Sequence, residues 1–141
     1  MSLNVLAVHD QITAKLEELP QDVYETAAPD DSKLKFDSSG NLLPYLVVQY
    51  SDMYPTPLGN GILSAKYNAA ESYFVVTCVS SNQRASRQVA DLVKNNIIGF
   101  QPTDAGEVRF AGGSTDYSMQ VTKPNNYVVE LGFILQVNTA W

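Results

Sequence analysis

Two stretches constrain this chain more than any others. "ESYFVVTCVS", residues 71–80, and "YVVELGFILQVN", residues 127–138, are rich in β-branched and aromatic residues and read as strands of a sheet. Both faces of the first are largely apolar, so it belongs in the middle of the sheet with part of each face covered. The second alternates. Val129, Leu131, Phe133, Leu135 and Val137 share one face, and Val128, Glu130, Gly132, Ile134 and Gln136 share a more polar one.

The rest of the chain supplies what such a sheet needs. Residues 2–19 read as a helix with Ser2 as N-cap, an apolar stripe of Val5, Val8, Ile12, Leu16 and Leu19, and Pro20 as its stop. "DVYET" is a short strand, and residues 28–41 are a polar connection anchored by Leu34 and Phe36. "LPYLVVQYSD" is a strand with Tyr45, Val47 and Gln49 on one side and Leu46, Val48 and Tyr50 on the other. "MYPTPLGNG" is a turn-rich loop. A second helix follows, capped by Ser81 or Asn82. Its buried stripe is Ala85, Val89, Leu92, Val93 and Ile97, and Gly99 is the natural residue just past its end. "EVRF" and "DYSMQV" bracket "AGGST", which reads as the turn of a β-hairpin. The expectation is one α+β domain over residues 1–141: two helices packed on one mainly antiparallel β-sheet, with an extended β-hairpin arm.

Charge and composition exclude several classes. A net charge of −6 argues against a general nucleic-acid binder, which needs a basic footprint. No apolar run approaches the roughly 20 residues of a membrane span. The start, "MSLNVLAVHDQ", lacks the basic beginning and cleavage site of a signal peptide. A single cysteine permits no intrachain disulfide and fits a reducing compartment.

No reactive constellation emerges. His9 is the only histidine and reads as a boundary residue of the first helix. Cys78 sits in the apolar strand "FVVTCVS", which predicts a buried, inert thiol. A lone His and a lone Cys make a poor metal site. Asp30 and Asp31 read as a solvated turn. "PLGNGILSAK" lacks the ending of a phosphate-binding loop and the third glycine of a dinucleotide fingerprint. "DAGEVRFAGGSTDY" offers neither a lysine nor a following helix N-terminus to an anion. The expectation is therefore no enzyme, no cofactor and no metal.

Other features point toward assembly. Arg84, Arg87, Asp91 and Lys94 form a mixed-sign row on the exposed face of the second helix, suited either to plain solvation or to ion pairs across a subunit boundary. The hairpin with Arg109, Asp116 and Tyr117 is either an ordinary surface hairpin or an arm onto a neighbour. Eight tyrosines, several of them around the middle strands, supply contact area with a polar tip. Glu130 gives the last strand a face suited to partial exposure or an inter-subunit wall.

The layout and local wording of residues 3–138 resemble a known family. The run from "SNQRASRQVADLVKNNIIGF" through "QPTDAGEVRFAGG" to "PNNYVVELGFILQVN" is the most specific part. It is similar to the tail terminator, or tail completion, proteins among the minor tail proteins of long-tailed (siphovirus) actinobacteriophages. The resemblance implies a structural virion protein of the tail and neck, assembled in the host cytoplasm. It implies a homohexameric ring on the head-proximal end of the tail tube, ending tube polymerisation. Its partners would be itself, the tail tube protein and the head-tail connector or head-closure protein, with DNA passing through the channel without sequence-specific binding. Carried onto this chain, Arg84, Arg87 and Lys94 of the helix face and Arg109, Asp116 and Tyr117 of the hairpin become the candidate subunit contacts. The acidic loop with Asp30, Asp31 and Asp37 is a candidate complement to the positive helix face. Another neck component and a small-ligand binding module are the alternatives.

Overall fold

The computed structural model describes residues 5–27, 29, 33–51, 54–55, 67–114 and 127–140, with side chains described at all of these except 5, 54–55, 67–70, 114 and 137–140. Elements follow in the order α1 (Val5–Leu16), β1 (Asp22–Glu25), β2 (Tyr45–Tyr50), β3 (Tyr54–Pro55), β4 (Tyr67–Ser80), α2 (Gln83–Ile97), β5 (Arg109–Ser114) and β6 (Tyr127–Ala140). They form one six-stranded sheet in the order β1-β2-β4-β6-β5, with the short β3 paired to β4 off that path. Among the described residues only β1 and β2 pair in parallel, and every other strand pairing is antiparallel. The α+β class and the mainly antiparallel sheet are as expected.

The middle of the sheet is the ladder between β4 and β6, which runs in unbroken register from Tyr67 opposite Ala140 to Ser80 opposite Tyr127. Side-chain alternation sends Phe74, Val76 and Cys78 of β4 and Val129, Leu131, Phe133 and Leu135 of β6 to one face. Both helices cover that face. Val8, Ile12 and Leu16 of α1 and Val89, Ala90, Val93 and Ile97 of α2 complete the buried cluster. The rings of Phe74 and Phe133 stack at its centre, 5.2 Å apart. The opposite face has a smaller cluster of Leu42, Tyr45, Val47 and Val79, against which Leu34 packs.

Several expected details change. α1 ends at Leu16 rather than at 19, because Glu18 N–H and Leu19 N–H bond carbonyls three residues back and tighten the last turn. Leu34 does anchor its connection, but Phe36 is exposed and Leu42 takes the buried place. The loop "MYPTPLGNG" contains a paired segment, since Tyr54 and Pro55 lie opposite Glu71 and Ala70. The rest of its described neighbourhood is β4 itself, which begins at Tyr67 because pairing with β6 reaches Ala140.

The caps of α2 are as expected, with Asn82 Oδ1 accepting from Ala85 N–H at 2.8 Å and Gly99 at φ 86°. Its buried stripe is not. Leu92 is 44% exposed, and the stripe runs through Ser86, Val89, Ala90, Val93 and Ile97. A polar anchor rotates the helix. Ser86 Oγ donates to the Tyr127 carbonyl at 2.8 Å and lies 2.6 Å from Ser80 Oγ, tying the start of α2 to the ends of β4 and β6.

"AGGST" is not a hairpin turn. Ala111, Gly112, Gly113 and Ser114 belong to β5, which pairs with β6, and a bulge between Phe110 and Gly112 shifts the register. Gly112 has φ 118°, and a Cβ on Gly113 would lie 2.9 Å from the Glu130 carbonyl. The strand expected at "DYSMQV" and the tip of the arm lie outside the described residues.

These burials set two mutational outcomes. Phe133→Ala, at a fully buried ring, is expected to lower stability in urea unfolding by about 3–5 kcal/mol. Leu92→Ala, at an exposed helix position, is expected to change it by no more than about 0.5 kcal/mol.

Candidate functional site

The second helix covers β4 and β6 but stops short of β5, and this leaves a groove along the sheet edge. The groove has a volume of about 550 Å³. Arg84, Arg87, Asp91 and Lys94 form its helix wall, and Phe110, Gly113, Val129 and Leu131 form its apolar floor and far wall. The charged row expected on α2 is therefore brought together in one place. Lys94 Nζ pairs with Asp91 at 3.2 Å and lies 5.8 Å from the centre of the Phe110 ring. Among the described residues neither Arg84 nor Arg87 has an ion-pair partner. Both are exposed.

The other candidates are not in this groove. Arg109 is opposite Ile134 and Glu130 is opposite Thr77, so both project from the face the helices leave uncovered. Arg109 still lies on the same edge strand. Asp116, Tyr117, Asp30 and Asp31 lie outside the described residues. Asp37 is occupied locally, since its Oδ1 accepts the backbone N–H groups of Asn41 and Ser39, each at 2.9 Å. The Asn41 bond, with help from Ser39, holds the Asp37 carboxyl below its ordinary range.

An acidic patch that the sequence reading missed lies at the other edge of the sheet. Thr13 of α1 donates to Glu25 Oε1 at 2.7 Å and contacts Tyr50 Oη at 2.6 Å. Burial pushes the Tyr50 phenol well up, and Glu25, Asp10 and Glu17 push it further in the same direction. Asp10, Thr13 and Glu17 recur at helical spacing, so Asp10 and Glu17 lie on the side of α1 whose Thr13 meets Glu25. Nothing in local sequence joins Glu25 to them, because the parallel pairing of β1 with β2 is what brings Glu25 under α1. Phe110 and Gly113 were missed for a different reason. The pair of glycines was read as a turn, although glycine inside a strand also marks a bulge or a close backbone approach.

The reactive side chains are packed. His9 stacks on Tyr50 with ring centres 4.2 Å apart, and its Nε2 lies 3.3 Å from the hydroxyl of buried Ser72. Cys78 is fully buried, as expected, and burial pushes its thiol up to about 12. The stretch from 100 to 108 is a packed connection. Gly106 N–H donates to the Gln136 carbonyl at 2.7 Å, and Thr103 N–H donates to Gln11 Oε1 at 2.9 Å. Among the described residues no group of His, Cys, Asp or Glu is arranged to hold a metal ion, and no helix is long and apolar enough to cross a membrane.

No protein-family model matches the chain, and no curated protein matches it significantly.

The buried thiol and phenol give a pH signature. Above about pH 9 the unfolded chain loses the Cys78 proton while the folded chain keeps it to about 12, so the unfolded state binds fewer protons and stability falls as pH rises. Tyr50 acts in the same direction. Urea unfolding between pH 9 and 11 is expected to show a decline that is shallower in Cys78→Ala by about 1.4 kcal/mol per pH unit. Equal slopes in the two proteins would contradict the burial of this thiol.

Proposed function

We propose that this protein is a ring-forming structural component of a phage virion, acting as the terminator of a long tail. In this reading copies of the chain close into a ring, of six by the resemblance, on the head-proximal end of the tail tube. The ring ends tube polymerisation and presents a surface to the head-tail connector. The DNA passes through its channel.

One observation supports this reading most. On the helix side of the sheet, Arg84, Arg87 and Lys94, the last paired with Asp91, stand at the β5 edge, while Asp10, Glu17 and Glu25 stand at the β1 edge, where Lys15 and Lys35 are paired with Glu18 and Asp22. A ring needs two different patches on each subunit that fit one another, and opposite edges of opposite charge meet that requirement. An overall acidic chain also disfavours adhesion of passing DNA, whose phosphates it repels.

Another component of the neck would share the ring and the charge pattern but would not cap the tube. Adding the purified protein to polymerising tail-tube subunits separates the two. A terminator is expected to shorten the tubes in proportion to its concentration and to be found at one tube end by electron microscopy. Tubes of unchanged length at saturating protein would contradict the terminator reading. The groove also fits a small-ligand module, for which a ligand screen should raise the unfolding temperature.

A further inference from the structure

Building on the ring-forming reading, we infer that the subunits join edge to edge, with β1 of one copy adding to β5 of the next so that the sheet continues across the boundary. Among the described residues both strands are sheet edges with one bare side, since β1 pairs only with β2 and β5 only with β6. A bare edge offers unpaired N–H and C=O groups to another strand.

Strand direction allows the join. β1 runs with β2, β4 runs against β2, β6 against β4, and β5 against β6. β1 and β5 of one copy are therefore antiparallel. A second copy that extends the sheet with its helices on the same side sets its β1 antiparallel to β5 of the first, and this pairing needs no inversion of the molecule. Glu25 is level with Val48, Val76, Leu131 and then Gly113, so Glu25 and the groove glycine share a rung of the ladder.

Charge chooses the partner edge. Glu25 is opposite Val48, which faces the helices, and Thr13 of α1 holds it on that side with Glu17 and Asp10 nearby. The groove beside β5 is on the same side and carries Arg84 and Arg87 beside the Lys94–Asp91 ion pair, a net positive set. Joining β1 to β1 sets carboxylates against carboxylates, and joining β5 to β5 sets cations against cations. Only β1 against β5 sets opposite charges together. Phe110, 43% exposed on the helix side of β5, offers an apolar contact beside the joined edge.

The test is a charge exchange between copies. One variant carries Glu17→Lys and Glu25→Lys, and the other carries Arg84→Glu and Arg87→Glu. All four residues are exposed, and circular dichroism with thermal unfolding confirms that each variant folds. Native mass is measured over a concentration series. Each variant alone is expected to assemble at least tenfold more weakly than the unaltered protein. The equimolar mixture is expected to regain the assembled mass, because each altered edge then meets its complement. Amide exchange at Val23, Glu25 and residues 109–113 is expected to slow on assembly.

Variants that assemble as the unaltered protein does, or a mixture that stays apart, would overturn the inference. So would an unaltered protein that remains monomeric at millimolar concentration, and in that case tube length still decides the terminator reading separately. An oligonucleotide that binds through Arg84 and Arg87, with the Glu17→Lys and Glu25→Lys variant assembling normally, would assign the groove to a polyanion and overturn it as well.

Discussion

The pairing of β4 with β6 is the interaction on which everything else depends. Its continuous register sends one alternating set of side chains to a single face, and Phe74 and Phe133 stack where the two strands cross the core. That face is too apolar to meet water, so both helices must lie on it. A one-residue slip in this ladder would turn every buried side chain outward. The placement of α2 over β4 and β6, and so the groove it leaves beside β5, follows from the same register.

Much of this was legible because the central strands announce themselves by alternation. The faces assigned to β2 and β6, the Asn82 cap and the turn at Gly99 all rest on local rules and hold. What could not be read depended on distant contacts. Leu92 looked like a core residue by spacing, but the hydroxyl of Ser86, bonded to the ends of two strands, sets the rotation of α2. The glycines of β5 looked like a turn because a turn is their commonest use. Here they lie within and just after a bulge of an edge strand.

The candidate surface divides in the same way. Arg84, Arg87, Asp91 and Lys94 share a helix face, and a helix face can be read directly from spacing. The floor of their groove could not, since Phe110 and Leu131 meet α2 only through the sheet order. Of the acidic loop with Asp30, Asp31 and Asp37, only Asp37 is among the described residues, and its carboxylate closes its own turn while staying exposed. The parallel pairing of β1 with β2 placed the acidic patch at the far edge, around Thr13 and Tyr50. Two edges of one sheet that differ in charge on the helix side form a physical basis for the head-to-tail contact that the proposed ring would need.

The most direct measurement is electron microscopy of the assembled protein at a resolution that separates strands. The account predicts a closed ring in which β5 of each subunit lies about 4.8 Å from β1 of the next, the spacing of paired strands. A ring whose subunits meet elsewhere and leave both edges bare would contradict it.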